Sequence, residues 1–226
     1  MCRLPAGLLA RFRDAAGDLP QRDDPVYARA GRDPRDPIFG LGPGDAGIAF
    51  FGRDPGRDEV HVGVPFIGAG GRQVRRVLYR RHHHGEMVDT DDALKAGEAY
   101  FWANTVPYKP EGNRAWSMRV KRAFQPLVAE VLLSLWGGRH VISLGREAFF
   151  WFGIDQDRQV RQRLEHHWQQ PDRFETSLTI DFAGPQGAAR TLEIHPLPHP
   201  SPLNATWYKR FPGLLAQRLD ALEGRA

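Results

Sequence analysis

The chain has 226 residues, a formal net charge of +4 at pH 7 and a hydrophobic fraction of 41%. This length suits a single domain with a sizeable core, and no apolar run reaches the roughly 20 residues that a membrane-spanning helix needs. The one cysteine, Cys2, excludes an internal disulfide and a cysteine-rich metal or iron–sulfur centre within the chain. We therefore expect an intracellular monomer that uses neither a metal nor another cofactor and does not bind membranes.

The N-terminal part of the chain predicts a helix, a long loop and a buried strand. Leu8–Ala16 has the pattern of an amphipathic helix rather than of a signal peptide. Residues 18–46 are rich in proline, glycine, aspartate and arginine, which predicts an extended arm over the surface. Ile48–Phe51 form a short continuous apolar run, which is typical of a strand covered on both faces.

A basic helix is predicted over about Gly71–Arg81, with apolar residues turned inward and arginines at helical spacing on one face. These arginines are Arg72, Arg75, Arg76 and Arg80. The helix face that carries these arginines is either solvated or turned towards phosphate. The mildly basic composition fits both alternatives. His82–His84 follow. Because adjacent histidines at a helix end cannot all face one ion, we interpret them as solvated or phosphate-facing.

The second half of the chain alternates further helices and strands. Helices are predicted over 89–99, 118–136, 146–153, 155–173 (with a loop) and 212–222, and Pro126 is expected to kink or split the second of these. Strands are predicted over 100–104 and 140–145 and, as a pair around a Gly-Pro-Gln-Gly turn, within 175–198. This alternation indicates an α/β fold. We expect one domain over residues 1–226, a three-layer α/β/α sandwich with a central mostly parallel sheet.

In such a sheet, ligands bind where loops leave the carboxyl ends of the strands. The loops after Phe51, after Tyr100–Phe101 and after Ile194 qualify. The last of them contains the proline-rich run PLPHPSP, which is stiff because proline fixes the backbone. It therefore presents three side chains with little freedom, namely His199, Ser201 and Leu203.

Two glycine-containing loops raise the question of phosphate binding. The segment GRDPG after the first strand lacks the lysine and the Ser/Thr of a P-loop. The segment GAGG at Gly68–Gly71 opens a helix, and a helix N-terminus can hold a phosphate. A phosphate-binding hydrolase is therefore one alternative, although the missing lysine and metal ligands argue against it.

Five segments occur in the order seen in the uracil-DNA glycosylase superfamily, which the chain resembles over roughly residues 47–215. They are GRDPG, GVPFIG, FWANTVPYKPEGNR, HVISLGREAFF and HPSPLN. The resemblance implies a monofunctional DNA glycosylase of base excision repair, which flips a base out of DNA and hydrolyses its N-glycosidic bond. It implies uracil or a related deaminated base as the target, base-damaged DNA as the partner, and a cytoplasmic, nucleoid-associated location.

The resemblance also implies a role for each matching residue. Asp54 in GRDPG places the attacking water, Phe66 in GVPFIG stacks on the extruded base, and Asn104 in FWAN reads the base edge. His199 in HPSPLN stabilises the departing base, and Leu203 enters the duplex. We further predict substrate contact at Gly52 and DNA contact at Ser201, Pro202, Arg72 and Arg76.

Elementary chemistry agrees with these roles. The glycosidic bond breaks as a pyrimidine anion leaves an oxocarbenium-like sugar, and a nearby carboxylate stabilises that cation and orients water. An asparagine amide offers both a donor and an acceptor, which match N3–H and O4 of uracil. Stacking on an aromatic ring contributes on the order of 1–3 kcal/mol per base.

Two residues depart from the family pattern and leave the preferred base open. Arg53 stands where the iron–sulfur branch of the superfamily carries an acid. Gly56 replaces a tyrosine that helps to exclude thymine, and we interpret this glycine as leaving room for a wider base. The motifs are also mixed, since GRDPG resembles the classical branch while GVPFIGAGG and NTVPYKPEGNR resemble the iron–sulfur branch, whose cluster cysteines are missing here. The mixed motifs and Arg53 leave a competing interpretation open, in which the same fold binds a nucleic acid or nucleotide without cutting it.

Overall fold

The structure is a computed structural model that describes residues 3–83, 85–112 and 114–224. Cys2 and His84 lie outside the described residues. The described helices are α1 (Ala6–Ala15), α2 (Asp24–Arg29), α3 (Arg57–Val62), α4 (Ala69–His82), α5 (Thr90–Ala96), α6 (Met118–Ser134), α7 (Arg146–Trp151), α8 (Arg158–Gln169), α9 (Ala205–Tyr208) and α10 (Phe211–Glu223), with a short 3-10 turn at Pro185–Gly187. The strands are β1 (Ile48–Gly52), β2 (Phe101–Asn104), β3 (His140–Leu144), β4 (Leu178–Ala183) and β5 (Ala189–Leu197).

The strands form one twisted sheet in the order β2–β1–β3–β5–β4. Strands β2, β1, β3 and β5 run parallel to one another, whereas the edge strand β4 pairs antiparallel with β5. All five residues of β1 are buried, as a continuous apolar run in the middle of a covered sheet requires. The predicted α/β fold with a mostly parallel central sheet is therefore confirmed.

Helices cover both faces of the sheet. Side chains alternate along β1, so Ala49 and Phe51 pack in one apolar cluster while Ile48 and Phe50 pack in another. The first cluster includes buried residues of α1, α6, α7 and α8, and the second those of α4 and α10. Within the described residues, no helix combines the length and the apolar character that crossing a bilayer requires.

Segment 18–46 differs from the extended arm that we expected. It contains helix α2, and Tyr27 and Ile38 are almost fully buried beside α3. Leu41 pairs with Trp102 in an isolated bridge, which ties the end of the segment to β2. Apolar residues spaced among many turn formers carry no periodic signal, which is why the sequence pattern indicated a loop.

Tyr27 is the main anchor of this segment. Its hydroxyl accepts a hydrogen bond from the backbone N–H of Lys109 at 3.0 Å. Burial raises the pKa of Tyr27 to about 12, so the hydroxyl stays neutral. Lys109 also pairs with Asp23 at 3.0 Å, which attaches the start of α2 to the loop after β2.

Of the two outcomes expected for Pro126, a split of the helix is wrong, because α6 continues through this residue as one helix. Proline removes one backbone hydrogen bond from a helix interior. Buried Val128, Val131 and Leu132 in the following turns pack against the sheet cluster. This packing holds the second part of the helix in place despite the missing bond.

We predict that Tyr27→Ala lowers the free energy of unfolding by about 3–5 kcal/mol, because it empties a buried aromatic site and leaves the Lys109 N–H without its acceptor. Urea denaturation followed by circular dichroism measures this change. Ala28→Ser, at an exposed position of the same helix, serves as the control and should cost less than about 1 kcal/mol. Equal, small effects of the two substitutions would show that the segment is an independent arm.

Candidate active site

The carboxyl ends of the parallel strands meet at one edge of the sheet. β1 ends at Gly52 and leads to Asp54, β2 ends at Asn104, and β5 leads to His199. The register pairs Gly52 directly with Asn104. Residues that are distant in the sequence are therefore neighbours, because parallel strands point their ends in the same direction.

A cavity of about 1000 Å³ opens at this edge. The residues that line it include these predicted ones: Gly52, Asp54, Phe66, Asn104, His199, Ser201, Pro202 and Leu203. Arg72 and Arg76 do not line it. Arg72 borders a second, smaller cleft, and Arg76 is exposed on α4.

Gly52 forms the floor of the cavity, and its lack of a side chain is required there. A Cβ atom at this position would lie 2.6 Å from Cζ of Phe66 and 2.9 Å from Oδ1 of Asn104. Such distances are shorter than carbon atoms tolerate, so only glycine lets the ring and the amide approach each other here. Asn104 itself is 3% exposed, which fixes its amide at the end of β2.

Phe66 adopts a backbone conformation that is unusual for an aromatic residue. Its φ angle is +61°, in the left-handed region that bulky side chains rarely occupy. Its ring lies 5.0 Å from the ring of Trp102, measured between centroids, and Phe66 is 9% exposed. Gly71 packs against the Phe66 backbone so closely that a Cβ there would lie 2.2 Å from the Phe66 carbonyl carbon. Strain of this kind persists only where the surroundings hold it.

Arg75 supports this strained backbone. Its position corrects the prediction that it shares an exposed face with Arg72 and Arg76. It is 2% exposed, and it donates to the carbonyl oxygens of Phe66 at 2.8 Å and of Pro65 at 3.2 Å. A third hydrogen bond reaches the Ala93 carbonyl at 2.7 Å.

The Arg75 guanidinium also lies 4.3 Å from the centroid of the Trp102 ring. Burial lowers the pKa of Arg75 to about 10, so it stays charged at neutral pH. Arg75 is thus a structural clamp on the Phe66 loop.

Asp54 is the buried acid of the cavity. Its side chain is 4% exposed and accepts a hydrogen bond from Nε of Arg53 at 2.8 Å. Burial raises the pKa of Asp54 to about 6, while the charges of Arg53, Lys121 and Lys109 oppose that rise. Asp54 is therefore ionised at neutral pH but titrates close to it.

His199 follows β5, which β3 separates from β1 in the sheet. It lies at an exposed position of the cavity wall. Desolvation by the surrounding walls and the charge of Arg53 lower the pKa of His199 to about 4. The imidazole is thus neutral at pH 7. Gly145, with φ +90°, lets it approach: a Cβ at Gly145 would lie 2.9 Å from Cβ of His199.

The loop after His199 is held by its own polar side chains. Nδ2 of Asn204 donates to the His199 carbonyl at 3.1 Å, and the Leu203 N–H donates to Oγ of Ser201 at 3.2 Å. Leu203 is 87% exposed at the cavity mouth. An apolar side chain on a stiff loop in this position is presented to solvent rather than used in the core.

Glu59 is a cavity residue that sequence reasoning missed. Its carboxylate accepts a hydrogen bond from the Gly68 N–H at 2.9 Å. A Cβ atom at Gly56 would lie 2.5 Å from Oε2 of Glu59, so the carboxylate takes the place of a side chain at position 56. The interpretation that Gly56 leaves room for a wider base is therefore wrong, because Glu59 fills that space.

The same carboxylate weakens the phosphate-hydrolase alternative. It occupies the positive N-terminus of α4, where a bound phosphate would have accepted hydrogen bonds from the GAGG backbone. Glu59 comes three residues after Gly56 in a helix rich in charge, so the sequence gives it no feature that separates it from a solvated acid.

The residues that most resemble a metal site lie elsewhere, where β3 begins. Within the described residues, the ligand atoms of His140, Glu193 and His195 lie within 4.8 Å of one another. However, Nη1 of Arg218 lies 3.2 Å from Nδ1 of His195, which must accept that hydrogen bond. In neutral His195 the proton then sits on Nε2, the atom that would face the ion, so this cluster does not suit a metal.

The chain was compared with known protein families and with curated proteins. A family model described as "Uracil DNA glycosylase superfamily" matches residues 39–223. The matched range contains every predicted site residue. Among curated proteins, none matches the chain.

We predict that Arg75→Met lowers the free energy of unfolding by roughly 3 kcal/mol or more, because the buried carbonyls of Pro65, Phe66 and Ala93 lose their donor. Urea denaturation measures this. Arg76→Met is a matched control, since it makes the same change at the exposed neighbouring position, and it should change stability by about 0.5 kcal/mol or less. If both variants unfold alike, Arg75 is not a clamp.

A second prediction concerns the Asp54 carboxyl. Arg53→Gln removes the largest influence that lowers its pKa, so the pKa should rise above about 6. Carbon-13 NMR of the aspartate carboxyl groups during a pH titration measures this, and Asp54→Asn identifies the signal. Arg158→Gln, an exposed position on α8, should leave the titration unchanged. A midpoint that falls or stays fixed in Arg53→Gln contradicts the assignment.

Proposed function

We propose that this chain, which belongs to the uracil-DNA glycosylase superfamily, is a DNA glycosylase that hydrolyses the N-glycosidic bond of uracil or a related deaminated base. The base would be flipped out of the DNA into the cavity at the carboxyl edge of the sheet. As a monofunctional enzyme it would leave an abasic site for other enzymes of base excision repair.

One observation carries this proposal. A buried acid, an aromatic ring, an amide and a neutral imidazole from four distant segments line the same cavity of about 1000 Å³. These side chains belong to Asp54, Phe66, Asn104 and His199. Each of them has a chemical task in breaking a glycosidic bond, and any two of them lie at least 12 positions apart in the sequence.

The reaction follows from the protonation states. Above about pH 6, Asp54 is ionised, so it can stabilise the cationic sugar and orient a water towards C1′. The bond between C1′ and the base nitrogen breaks, and both its electrons leave with the base. The water oxygen bonds to C1′ and gives its proton to Asp54.

The departing base carries a negative charge that needs a donor. His199 is neutral at pH 7, and a neutral imidazole has one N–H that can donate to the O2 atom of the anion. A neutral imidazole also avoids repulsion, because a protonated His199 would place a second positive charge near the guanidinium of Arg53.

Base recognition would use the floor and one wall of the cavity. The Phe66 ring offers a face for stacking, and the buried Asn104 amide offers a donor and an acceptor to the base edge. Glu59 fills the region next to Gly56 and would limit the size of the base on that side. Ser201, Pro202 and Leu203 would contact the DNA around the flipped nucleotide, with Leu203 in the space that it leaves.

One observation favours the competing function, a module that binds nucleic acid without cutting it. Nε of Arg53 donates a hydrogen bond to one carboxylate oxygen of Asp54 at 2.8 Å. A carboxylate paired with a guanidinium is a weaker base than an unpaired carboxylate. A panel of single- and double-stranded oligonucleotides with uracil, hypoxanthine or xanthine separates the two functions. Formation of abasic product supports the glycosylase, and a gel shift without product supports the binding module.

We expect Asp54→Asn to lower single-turnover excision by about 10²–10⁴-fold, because the amide cannot take the proton of the water. DNA binding should change by less than about threefold, since the two side chains have the same shape. Asp45→Asn, at an exposed position before β1, is the matched control and should excise like the unchanged protein. Full excision by Asp54→Asn would remove this residue from the mechanism.

A further inference from the structure

A second cleft of about 320 Å³ adjoins the cavity. The two share four lining residues, which are Val26, Arg29, Arg57 and Asp58. The cleft therefore continues the cavity on the side of α2 and α3. The 199–204 loop lines the cavity but is not among the residues that line the cleft.

The cleft is rich in positive charge. Three guanidinium groups line it, those of Arg29, Arg57 and Arg72, together with the imidazole of His61. Asp58 is the one acid among its described lining residues. Asp58 lies 3.6 Å from Nε of Arg57, but both side chains are exposed, so this contact is loose and screened.

Each arginine comes from a different element, and the elements fix the arrangement. Arg29 ends α2, Arg57 begins α3, and Arg72 lies in the first turns of α4. Arg72 donates to Oγ1 of Thr90 at 2.8 Å, which holds its side chain against the cleft wall. Arg29 is exposed and lines both the cleft and the cavity, so its guanidinium is accessible to a ligand.

Clustered guanidinium groups recognise phosphate, because their planar N–H donors match its oxygen atoms in pairs. A nucleotide whose base lies in the cavity has backbone phosphates at the cavity mouth. Both the 199–204 loop, which lines the cavity, and the basic cleft, which adjoins it, are near that strand. Of these, the cleft carries the concentrated positive charge.

We propose that the cleft binds a backbone phosphate of the strand that carries the flipped nucleotide, through Arg29, Arg57 and Arg72. This inference rests on the proposed function and extends it, since it assigns the path of the strand and a task to segment 18–46. The strand passes from the 199–204 loop over the cavity and into the cleft. Arg72 thereby keeps its predicted DNA contact, although it does not line the cavity.

Methylphosphonate substitution tests this directly, because it removes the charge of one phosphate at a time. The probe is a fluorescent oligonucleotide with a tetrahydrofuran abasic-site analogue, which cannot be excised, and with one neutral phosphate at each of three positions on either side. Dissociation constants are measured by anisotropy for the unchanged protein, for the double variant Arg29→Gln/Arg57→Gln, and for Arg158→Gln as an exposed control on α8. Circular dichroism and urea denaturation check that the variants fold.

We expect at least one position where the neutral phosphate weakens binding by the unchanged protein and by Arg158→Gln about tenfold. At that position the same replacement should affect the double variant less than about twofold. The slope of log Kd against log salt should also fall by about 1–2 in the double variant.

The proposal is overturned if every position that matters for the unchanged protein matters equally for the double variant. Such a result, with excision of damaged bases intact, would leave the proposed function standing and remove only the cleft. A protein that neither binds the probe nor excises any base of the panel would overturn both.

Discussion

The parallel pairing of β1 with β2 is the constraint on which the candidate site depends. It places Gly52 opposite Asn104, and the glycine then admits the Phe66 ring beside the amide. A slip of one residue would turn each side chain of β2 to the other face of the sheet. In β2, Phe101 packs in the first apolar cluster and Trp102 in the second, so that slip would exchange their packing partners. The geometry of the cavity floor therefore depends on the packing of the core.

The cavity combines an acid that titrates near neutral pH with an imidazole that stays uncharged. Both properties arise mainly from desolvation, and Arg53 acts on both groups, lowering the pKa of Asp54 and of His199. A single arginine thus helps to keep the acid charged and the imidazole neutral. That is the combination that water activation and donation to a leaving anion both require.

Most of the fold and the set of cavity residues could be predicted from the sequence, because they depend on local signals. Continuous apolar runs marked β1 and β3, whereas Asp54, Asn104 and His199 were marked by motifs that resemble those of the uracil-DNA glycosylase superfamily. Arg75 and Glu59 could not be recognised, since each makes its contacts with backbone groups elsewhere in the chain. Helical spacing placed Arg75 among the other arginines but contained no information on its buried partners at Phe66 and Ala93. The anchoring role of Tyr27 could not be predicted for the same reason, since its hydrogen-bond partner is the distant Lys109.

The left-handed backbone of Phe66 sets a limit on how this protein can change. Glycine would relax the dihedral angle but would remove the ring from the cavity, and any other large side chain would keep the strain. The buried Arg75 supports this backbone directly, because its guanidinium donates to the carbonyl oxygens of Phe66 and Pro65. Since these acceptors are backbone carbonyls, Arg75 would support the same loop whichever side chain stood at position 66.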